Sequence, residues 1–118
     1  MGRTTFPIFF SRKKPLDVVT IGRYNQDVKY EWDETKRNAN IRKHGIDFLE
    51  AVHIFDGDVI IIEDDRYNYG ETRHIAIGLL QERVIVVAYA ERNEVTRIIS
   101  ARKATHYEQI NYFEQIAD

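Results

Sequence analysis

The sequence contains no cysteine, only two prolines, and no apolar run longer than the seven residues from Val84 to Ala90. Without cysteine there is no disulfide framework, no thiolate nucleophile and no zinc ribbon, and the composition suits a reducing cytoplasm. Seven apolar residues fall far short of the roughly 20 that span a bilayer, so we expect no membrane segment. The N-terminus also lacks the apolar core and the small-residue cleavage site of a secretory signal.

The chain also lacks a strong charge of either sign. Its 118 residues include 17 Lys and Arg and 19 Asp and Glu, which gives a formal net charge of −2. No global basic field is available to hold nucleic acid, so any such contact must come from local clusters. A chain of this length fits one domain with an ordinary core and leaves no room for two.

Most enzyme signatures are absent as well. The sequence has no glycine loop that would cradle phosphate, no metalloprotease pattern of histidine and acid, and no nucleophile elbow. The four histidines are scattered singly, and the acidic run 63–65 falls at a strand end where solvated charge is expected. We therefore expect no metal site and no cofactor.

The first 28 residues differ in composition from the rest. They hold both prolines and a charge of +3, whereas residues 29–118 carry −5. Because they show no sustained hydrophobic period, we interpret residues 1–28 as a loosely structured N-terminal extension. An upstream start codon and a tethering role explain such a segment about equally well. Residues 29–118 then form the one folded domain.

A short strand from Val28 to Trp32 leads into the first predicted helix. Asp33 can cap a helix from Glu34 to His44, and Gly45 takes the left-handed position that ends it. This helix is unusually polar for its length.

A second helix follows at once. Asp47 can cap it, with Glu50 completing a capping box. Its buried face has apolar residues at i, i+3, i+4 and i+7, namely Phe48, Ala51, Val52 and Phe55.

Four strands come next, because the hydrophobic pattern changes to the period of a strand. Short links between them favour antiparallel hairpins. The segment from Val84 to Ala90 is apolar on both sides and should be central. The predicted strands are Val59 to Glu63, Thr72 to Leu80, Arg83 to Glu91 and Val95 to Arg102.

A closing helix completes the domain. Thr105 and Glu108 form a capping box at its start. The order strand, helix, helix, four strands, helix predicts a small single α+β domain with its helices gathered on one face of the sheet. The apolar stripe that we expect to pack this helix consists of Tyr107, Ile110, Phe113 and Ala117.

Arginines are concentrated at the ends of the predicted strands. Arg73 and Arg97 are each in phase with isoleucines of their own strand, so both guanidinium groups point toward an otherwise apolar face. A partly buried arginine needs an anion. Internal ion pairs, Arg73 with Glu71 or Arg97 with Glu91, are one explanation. A clamp for a phosphodiester is the other, since forked donors match phosphate oxygens.

The first helix carries a polar side of its own. Lys36, Asn40, Lys43 and His44 lie at i, i+4, i+7 and i+8 and therefore share one side. Taken alone, this pattern is most often a solvated helix face. A cation, an amide and an imidazole beside an exposed aromatic such as Tyr89 are also the groups that hold RNA and move protons.

Three groups of residues stand in an order and spacing that is specific, although each run is short. They are Trp32, Asp33, Lys36, Asn40, Lys43, His44, Gly45, Phe48, Ala51 and Phe55; then Gly70, Glu71, Arg73, Ile77, Gly78, Glu91 and Arg92; and finally Arg97, Ile98, Ile99, Ser100, Ala101, Arg102, Ala104 and Thr105. In this combination, over about residues 29–113, the sequence resembles the BrnT family of toxins.

The resemblance implies a toxin of a type II toxin–antitoxin pair, with a fold like that of the RelE ribonucleases, which cleaves RNA in the cytoplasm and inhibits translation. It also implies a BrnA-like antitoxin of the ribbon-helix-helix kind, through which operator DNA is bound. The charge is consistent with DNA binding by the antitoxin, because a domain with a net charge of −5 is poorly suited to binding DNA itself. A catalytically weak subunit that docks the antitoxin and modulates repression is the alternative.

The family pattern carries over six candidate catalytic residues: Lys36, His44, Glu71, Arg73, Arg97 and Arg102. A metal-free ribonuclease needs a base for the 2′-hydroxyl, cations for the crowded phosphate and a donor for the departing 5′-oxygen. The arginines suit the phosphate, and Glu71 suits the base or orients an arginine. Lys36 and His44 suit positioning or proton transfer, and His44 equally suits closing the helix end. The candidate substrate-binding residues are Asn40, Lys43, Tyr89 and Arg92.

The spacing of two arginines poses a geometric difficulty. Arg97 and Arg102 are five residues apart, so a straight strand projects them to opposite faces of the sheet. They can share a site only if the chain bends near Ser100 and Ala101.

The sequence departs from the family pattern in three places: residues 1–28, the tyrosine-rich loop Tyr67 to Tyr69, and Tyr89. Many relatives carry a histidine or a smaller residue at the position of Tyr89. We expect Tyr89 to alter the activity if an imidazole is needed there, or to stack on a base instead.

The assignment of the second helix predicts a loss of stability on truncation of its largest side chain. Phe55→Ala should lower the free energy of unfolding by about 3 to 5 kcal/mol, measured by chemical denaturation, if the helical period buries this side chain. A loss under about 1 kcal/mol, the size of an ordinary surface change, would show that the second helix was misassigned.

Overall fold

A computed structural model of the chain describes residues 17–23 and 26–117, and it confirms the small α+β domain. The strands are β1 (Asp17–Arg23), β2 (Gln26–Trp32), β3 (Val59–Asp64), β4 (Arg73–Leu80), β5 (Arg83–Arg92) and β6 (Val95–Lys103). The helices are α1 (Glu34–His44), α2 (Phe48–Ala51), which continues into a 3-10 helix (Val52–Asp56), and α3 (His106–Ile116).

Part of the predicted N-terminal extension lies in strands. Residues 17–23 form β1, and residues 26–28 begin β2, to which β1 pairs antiparallel. Residues 1–16, 24 and 25 lie outside the described residues. The domain boundary at residue 28 therefore stays a prediction.

The six strands form one sheet in the order β1-β2-β6-β5-β4-β3. The predicted antiparallel run from β3 to β6 is confirmed, and β5 lies in the interior of the sheet. The pairing of β2 with β6 is parallel, which makes the sheet mixed. This pairing joins residues more than sixty positions apart, so nothing in the local pattern predicts it.

The main core lies between one face of the sheet and the segment from α2 to the 3-10 helix. All four predicted positions of this segment are buried, and Phe55 is 8% exposed. The Phe55 ring stacks on Tyr30 at 5.9 Å between centroids and meets the edge of Tyr89 at 5.4 Å. The predicted buried face is therefore confirmed.

Helix α3 packs on the opposite face of the sheet, so the prediction that all helices share one face is wrong. Its Tyr112 lies with Val84 and Val86, whereas the alternate residues of β5 belong to the main core. Because β5 is apolar on both faces, both faces must be buried by packed elements. This accounts for the position of α3 on the opposite face.

The predicted apolar stripe of α3 is also wrong. Tyr107, Ile110 and Phe113 are exposed, and the helix is held instead by Tyr112, whose hydroxyl donates to the carbonyl of Asp58 at 2.9 Å. Apolar residues occur on two sides of this helix, and only the sheet decides which side is buried. The capping box of Thr105 and Glu108 is confirmed.

Glycine is required at two places in the fold. Gly45 ends α1 in the left-handed conformation, with φ of 72°, as predicted. Gly78 in β4 lies under the 3-10 helix, where a Cβ atom would stand 2.9 Å from Cβ of Ile54. Any larger residue at position 78 would push this helix off the sheet.

Both predicted aspartate caps form, and Asp47 also binds an arginine side chain. Asp33 accepts from the backbone N–H groups of Thr35 and Lys36. Asp47 accepts from the N–H of Leu49 and binds Arg37, at 2.7 Å from Oδ1 to Nε, which lowers the pKa of Asp47. The predicted capping box with Glu50 is wrong, because the Asp47 carboxylate binds the N–H of Leu49 and the Arg37 guanidinium instead.

Asn40 fastens α1 to the edge of β6. Its side-chain amide donates to the carbonyls of Ala101 at 2.8 Å and Ile46 at 2.9 Å, and its oxygen accepts from the N–H of Ala101 at 3.1 Å. The strand β2 pairs with β6 only as far as Arg97. Beyond that point the Asn40 amide takes the place of a neighbouring strand.

The contacts of Asn40 predict a large effect of its truncation. Asn40→Ala should lower the free energy of unfolding by about 2 to 4 kcal/mol, because buried backbone groups at Ala101 and Ile46 lose their partners. The matched control is Asn38→Ala on the exposed side of α1, which should change stability by under about 0.5 kcal/mol. Equal effects of the two variants in urea denaturation would contradict the role of Asn40.

Candidate active site

A bulge in β6 places Arg97 and Arg102 on the same face of the sheet. Ser100 stands opposite Ala88 and Ile98 opposite Tyr89, so Ile99 has no cross-strand partner. One extra residue inverts the alternation of side chains along the strand. The irregularity lies at Ile99, slightly before the bend expected near Ser100 and Ala101.

On this face, one row of side chains runs across five strands, and every side chain in it except one is charged. Successive partners along the row are Glu31 in β2, Arg97 in β6, Ala90 in β5, Arg73 in β4 and Asp64 in β3. Only the methyl group of Ala90 separates the two arginines. They can therefore approach each other over it.

Glu71 joins these two arginines. Its Oε2 accepts from Nε of Arg73 at 3.2 Å and from Nη2 of Arg97. Its Oε1 has no hydrogen-bond partner within the described part of the chain. The predicted ion pair of Arg73 with Glu71 is confirmed. Arg97 also binds Glu71, and the expected partner Glu91 projects to the other face because it follows Ala90 in β5.

Arg102 is held by the first turn of α3. Two of its nitrogens donate to the carboxylate of Glu108, each at 2.9 Å, and one also donates to the carbonyl of Lys103. The Arg102 guanidinium lowers the pKa of Glu108 to about 2, and Glu108 in turn raises the pKa of Arg102. Glu108 is at the same time the capping-box residue of α3, so the helix fixes Arg102 in place.

The loop between β3 and β4 adds a fourth arginine and two tyrosines. Arg66 binds Asp64 through two nitrogens at 2.8 and 3.1 Å, which lowers the pKa of Asp64. The Tyr69 hydroxyl donates to the same carboxylate, and its ring lies 4.1 Å from the Arg73 guanidinium carbon. Tyr67, which is 68% exposed, meets the edge of the Tyr69 ring. The sequence shows this loop only as a departure from the family pattern.

The surface among these arginines is formed by small side chains. Ser100 and Ala88 are paired across β6 and β5 in the row between Arg97 and Arg102, and both are half-buried. We call the surface formed by Arg66, Arg73, Arg97 and Arg102, with the carboxylates of Asp64, Glu71 and Glu108, the arginine face. Its four arginines and three carboxylates give it one net positive charge.

The candidate residues of α1 lie apart from the arginine face. Asn40 is 7% exposed and its amide bonds within the fold, and its expected contact with substrate stays a prediction. Lys36 and Lys43 are exposed and His44 is half-buried. No hydrogen bond or ion pair in the described ranges joins any of these three to the arginines. They stand beside the edge of β6, within about a helical turn of Asn40 along α1.

The other two candidates are Tyr89 and Arg92. Tyr89 is 1% exposed and stacks on His74 at 5.3 Å, so the expectation of an exposed ring is wrong. Its register opposite Ile98 turns it into the main core, where burial also lowers the pKa of His74. Arg92 is on the same face as Arg97 and binds Glu31 at 2.9 Å.

The described residues offer neither a set of metal ligands nor a helix that could cross a membrane. No three His, Cys, Asp or Glu side chains of residues 17–23 and 26–117 come together as a metal-ligand set. Within the same ranges, none of the helices has the length and apolar character that a bilayer span requires.

Comparison with known proteins identifies a family. Residues 32–108 match the family model of the BrnT ribonuclease toxins of type II toxin–antitoxin systems. The match runs from the end of β2 into α3 and includes every residue of the arginine face. No curated protein matches the chain.

The pair of Arg102 and Glu108 predicts a pH-dependent contribution to stability. The pKa of Glu108 is about 2 in the folded chain against an ordinary 4.5, so its contribution is complete above about pH 4.5 and is lost as the pH falls toward 2. Glu108→Gln should therefore be less stable than the parent at pH 7, with a difference that shrinks between pH 5 and pH 2. Glu114→Gln, on the exposed part of α3, is the control. A difference from the parent that stays constant in urea denaturation across this pH range would contradict the assignment.

Proposed function

This chain belongs to the BrnT family of ribonuclease toxins from type II toxin–antitoxin systems, and we propose that it cleaves RNA on the arginine face without a metal ion. The observation that supports this proposal is the arrangement of Glu71. One carboxylate oxygen is held by Arg73 and Arg97, and the other has no hydrogen-bond partner among the described residues. A fixed carboxylate beside two guanidinium groups combines a base with phosphate-binding cations.

The first step assigned to this site is removal of a proton from the 2′-hydroxyl of RNA by the Glu71 carboxylate. Its Oε1 is buried in the free chain, so bound RNA must first displace the side chains that cover it. The freed 2′-oxygen attacks the adjacent phosphorus, and the bond from phosphorus to the 5′-oxygen breaks. The products are a 2′,3′-cyclic phosphate and a 5′-hydroxyl end.

Arg73 and Arg97 stabilise the phosphate as negative charge builds on it. Both guanidinium groups bind the Glu71 carboxylate, which holds them side by side. The fork of a guanidinium group matches phosphate oxygens, and such donors act most strongly where water is excluded, as around the 8% exposed Arg97. Arg102 is balanced by Glu108 and should contribute less.

The departing 5′-oxygen needs a proton, for which His44 and Lys36 are our candidates. Imidazole is the side chain most suited to proton transfer near neutral pH. Both residues lie along the edge of β6 and not among the arginines. RNA that crosses the face toward this edge would bring its leaving group to them, with Lys43 as a further contact to the backbone phosphates.

An antitoxin is the expected partner of this toxin, and we propose that it is a BrnA-like ribbon-helix-helix protein acting in the cytoplasm. The net positive charge of the arginine face suits an acidic segment that would exclude RNA. The overall charge of −2 does not favour direct DNA binding. Operator DNA is therefore assigned to the antitoxin.

The ion pairs also favour one alternative. Each of the four arginines binds a carboxylate of the same chain. A face that is already largely neutralised suits a catalytically weak subunit, whose task is to dock the antitoxin and modulate repression. The two functions differ in whether purified protein cleaves RNA.

The nuclease proposal predicts cleavage of RNA in the presence of a chelator. Glu71→Gln should lower the cleavage rate by about 100-fold or more through loss of the base. Arg97→Lys should lower it by about 100-fold through loss of the guanidinium fork, and Arg102→Ala by about tenfold, as expected for a balanced arginine. Product ends carrying a 2′,3′-cyclic phosphate would identify the route.

Arg83→Ala, an exposed arginine at the other end of β5, is the matched control and should cleave as the parent does. Thermal melts of each variant separate lost chemistry from lost folding. Tight antitoxin binding by a parent protein that leaves RNA intact would establish the docking subunit instead. Full activity in Glu71→Gln would remove Glu71 from the mechanism.

A further inference from the structure

Strand β3 is the last strand of the sheet at the side opposite β1. One of its edges pairs with β4 from Val59 to Asp64. No strand within the described ranges pairs with its other edge. Alternate N–H and C=O groups along that outer edge are therefore available to a further strand.

The composition of β3 is unusual for an exposed edge. Val59, Ile60, Ile61 and Ile62 are four successive β-branched residues, and the Ile62 side chain is 51% exposed. Edge strands usually discourage pairing by lysine, proline or a bulge. The strand has no lysine and no proline, and its register with β4 is continuous.

Acidic residues stand at both ends of this apolar run. Asp56 and Asp58 precede it and are exposed, and Glu63 and Asp65 follow it and are exposed. Two acids of this region have partners within the chain: Asp64 binds Arg66, and Asp56 binds His53 at 3.3 Å. A strand added along β3 would therefore have negative charge near each of its ends.

This charge pattern disfavours a second copy of the chain as the added strand. In the antiparallel register that sets all four apolar residues opposite one another, Ile60 pairs with Ile61 of the other copy and Val59 with Ile62. Asp58 then lies opposite Glu63 at both ends of the pairing. Like charges directly opposite each other destabilise paired strands.

We propose that β3 is a docking edge for an extended segment of a partner protein, made of about four apolar residues flanked on both sides by lysine or arginine. Backbone hydrogen bonds supply the affinity, and alternate side chains of the segment join the two faces of the sheet. Ile60 and Ile62 extend the face covered by α3, and Val59 and Ile61 extend the main core. The flanking cations meet the acids at the strand ends. This inference does not depend on RNA cleavage.

The test uses the full chain and a fluorescently labelled peptide, KKVVVIKK, with EEVVVIEE as its charge-reversed counterpart. Fluorescence anisotropy should show that the lysine-flanked peptide binds at least about tenfold more tightly. N-methylation of one alternate set of its residues should abolish binding, while N-methylation of the other set should leave it, because only alternate N–H groups of an added strand face the edge.

Variants of the chain locate the binding edge. Glu63→Lys should weaken binding of the lysine-flanked peptide and strengthen binding of the glutamate-flanked one. Glu94→Lys, an exposed acid in the turn between β5 and β6, is the matched control and should change neither. The outward-facing amides of β3, which are the alternate ones not bonded to β4, should exchange quickly with solvent in the free chain and slowly with the peptide bound.

Three results would overturn the proposal. Equal affinity for the two peptides would remove the charge complementarity, and equal tolerance of both N-methylated sets would remove strand addition. Slow exchange of the outward-facing β3 amides in the free chain would show that the edge is already covered. Sedimentation would then distinguish a second copy from the first sixteen residues of the same chain.

Discussion

The extra residue Ile99 in β6 sets which side chains can meet on one face of the sheet. Without it, Arg97 and Arg102 would project to opposite sides, and Arg102 would enter the main core beside α2. With it, both arginines share a face with Arg73, and the small residues Ala88 and Ser100 lie between them. The covering helix α3, which begins just after β6, reaches this same face and holds Arg102 through Glu108.

The second constraint is that burying a charged side chain costs free energy. The fold offsets this cost with two kinds of ion pair. Arg102 and Arg66 each have a carboxylate of their own, whereas Arg73 and Arg97 share Glu71. A shared carboxylate keeps both guanidinium groups ordered and close together. Tyr69 lies against the Arg73 guanidinium and extends this ordered network toward the exposed Tyr67. The arginine face is therefore held in shape before any ligand arrives.

Sequence patterns within a few residues predict the helices and strands of this fold well. The features that they do not predict depend on contacts between distant strands. The limits of α1 follow from Asp33 and Gly45, because a cap and a left-handed glycine act on their own neighbours. The pair of Arg73 and Glu71 is only two residues apart and is equally predictable. The bulge at Ile99, the parallel pairing of β2 with β6 and the burial of Tyr89 depend on partners far along the chain. The face on which α3 packs is ambiguous in the sequence for the same reason.

The Asn40 amide has a consequence for how this chain behaves on its own. Beyond the end of β2, backbone groups of β6 would otherwise be able to pair with another unfolded chain. The Asn40 side chain occupies these groups at Ala101. Among the described strands, the places at which a fibril or an aggregate can start to grow are thereby confined to the outer edges of β1 and β3. The tendency of the protein to aggregate is thus decided at the two rims of its sheet.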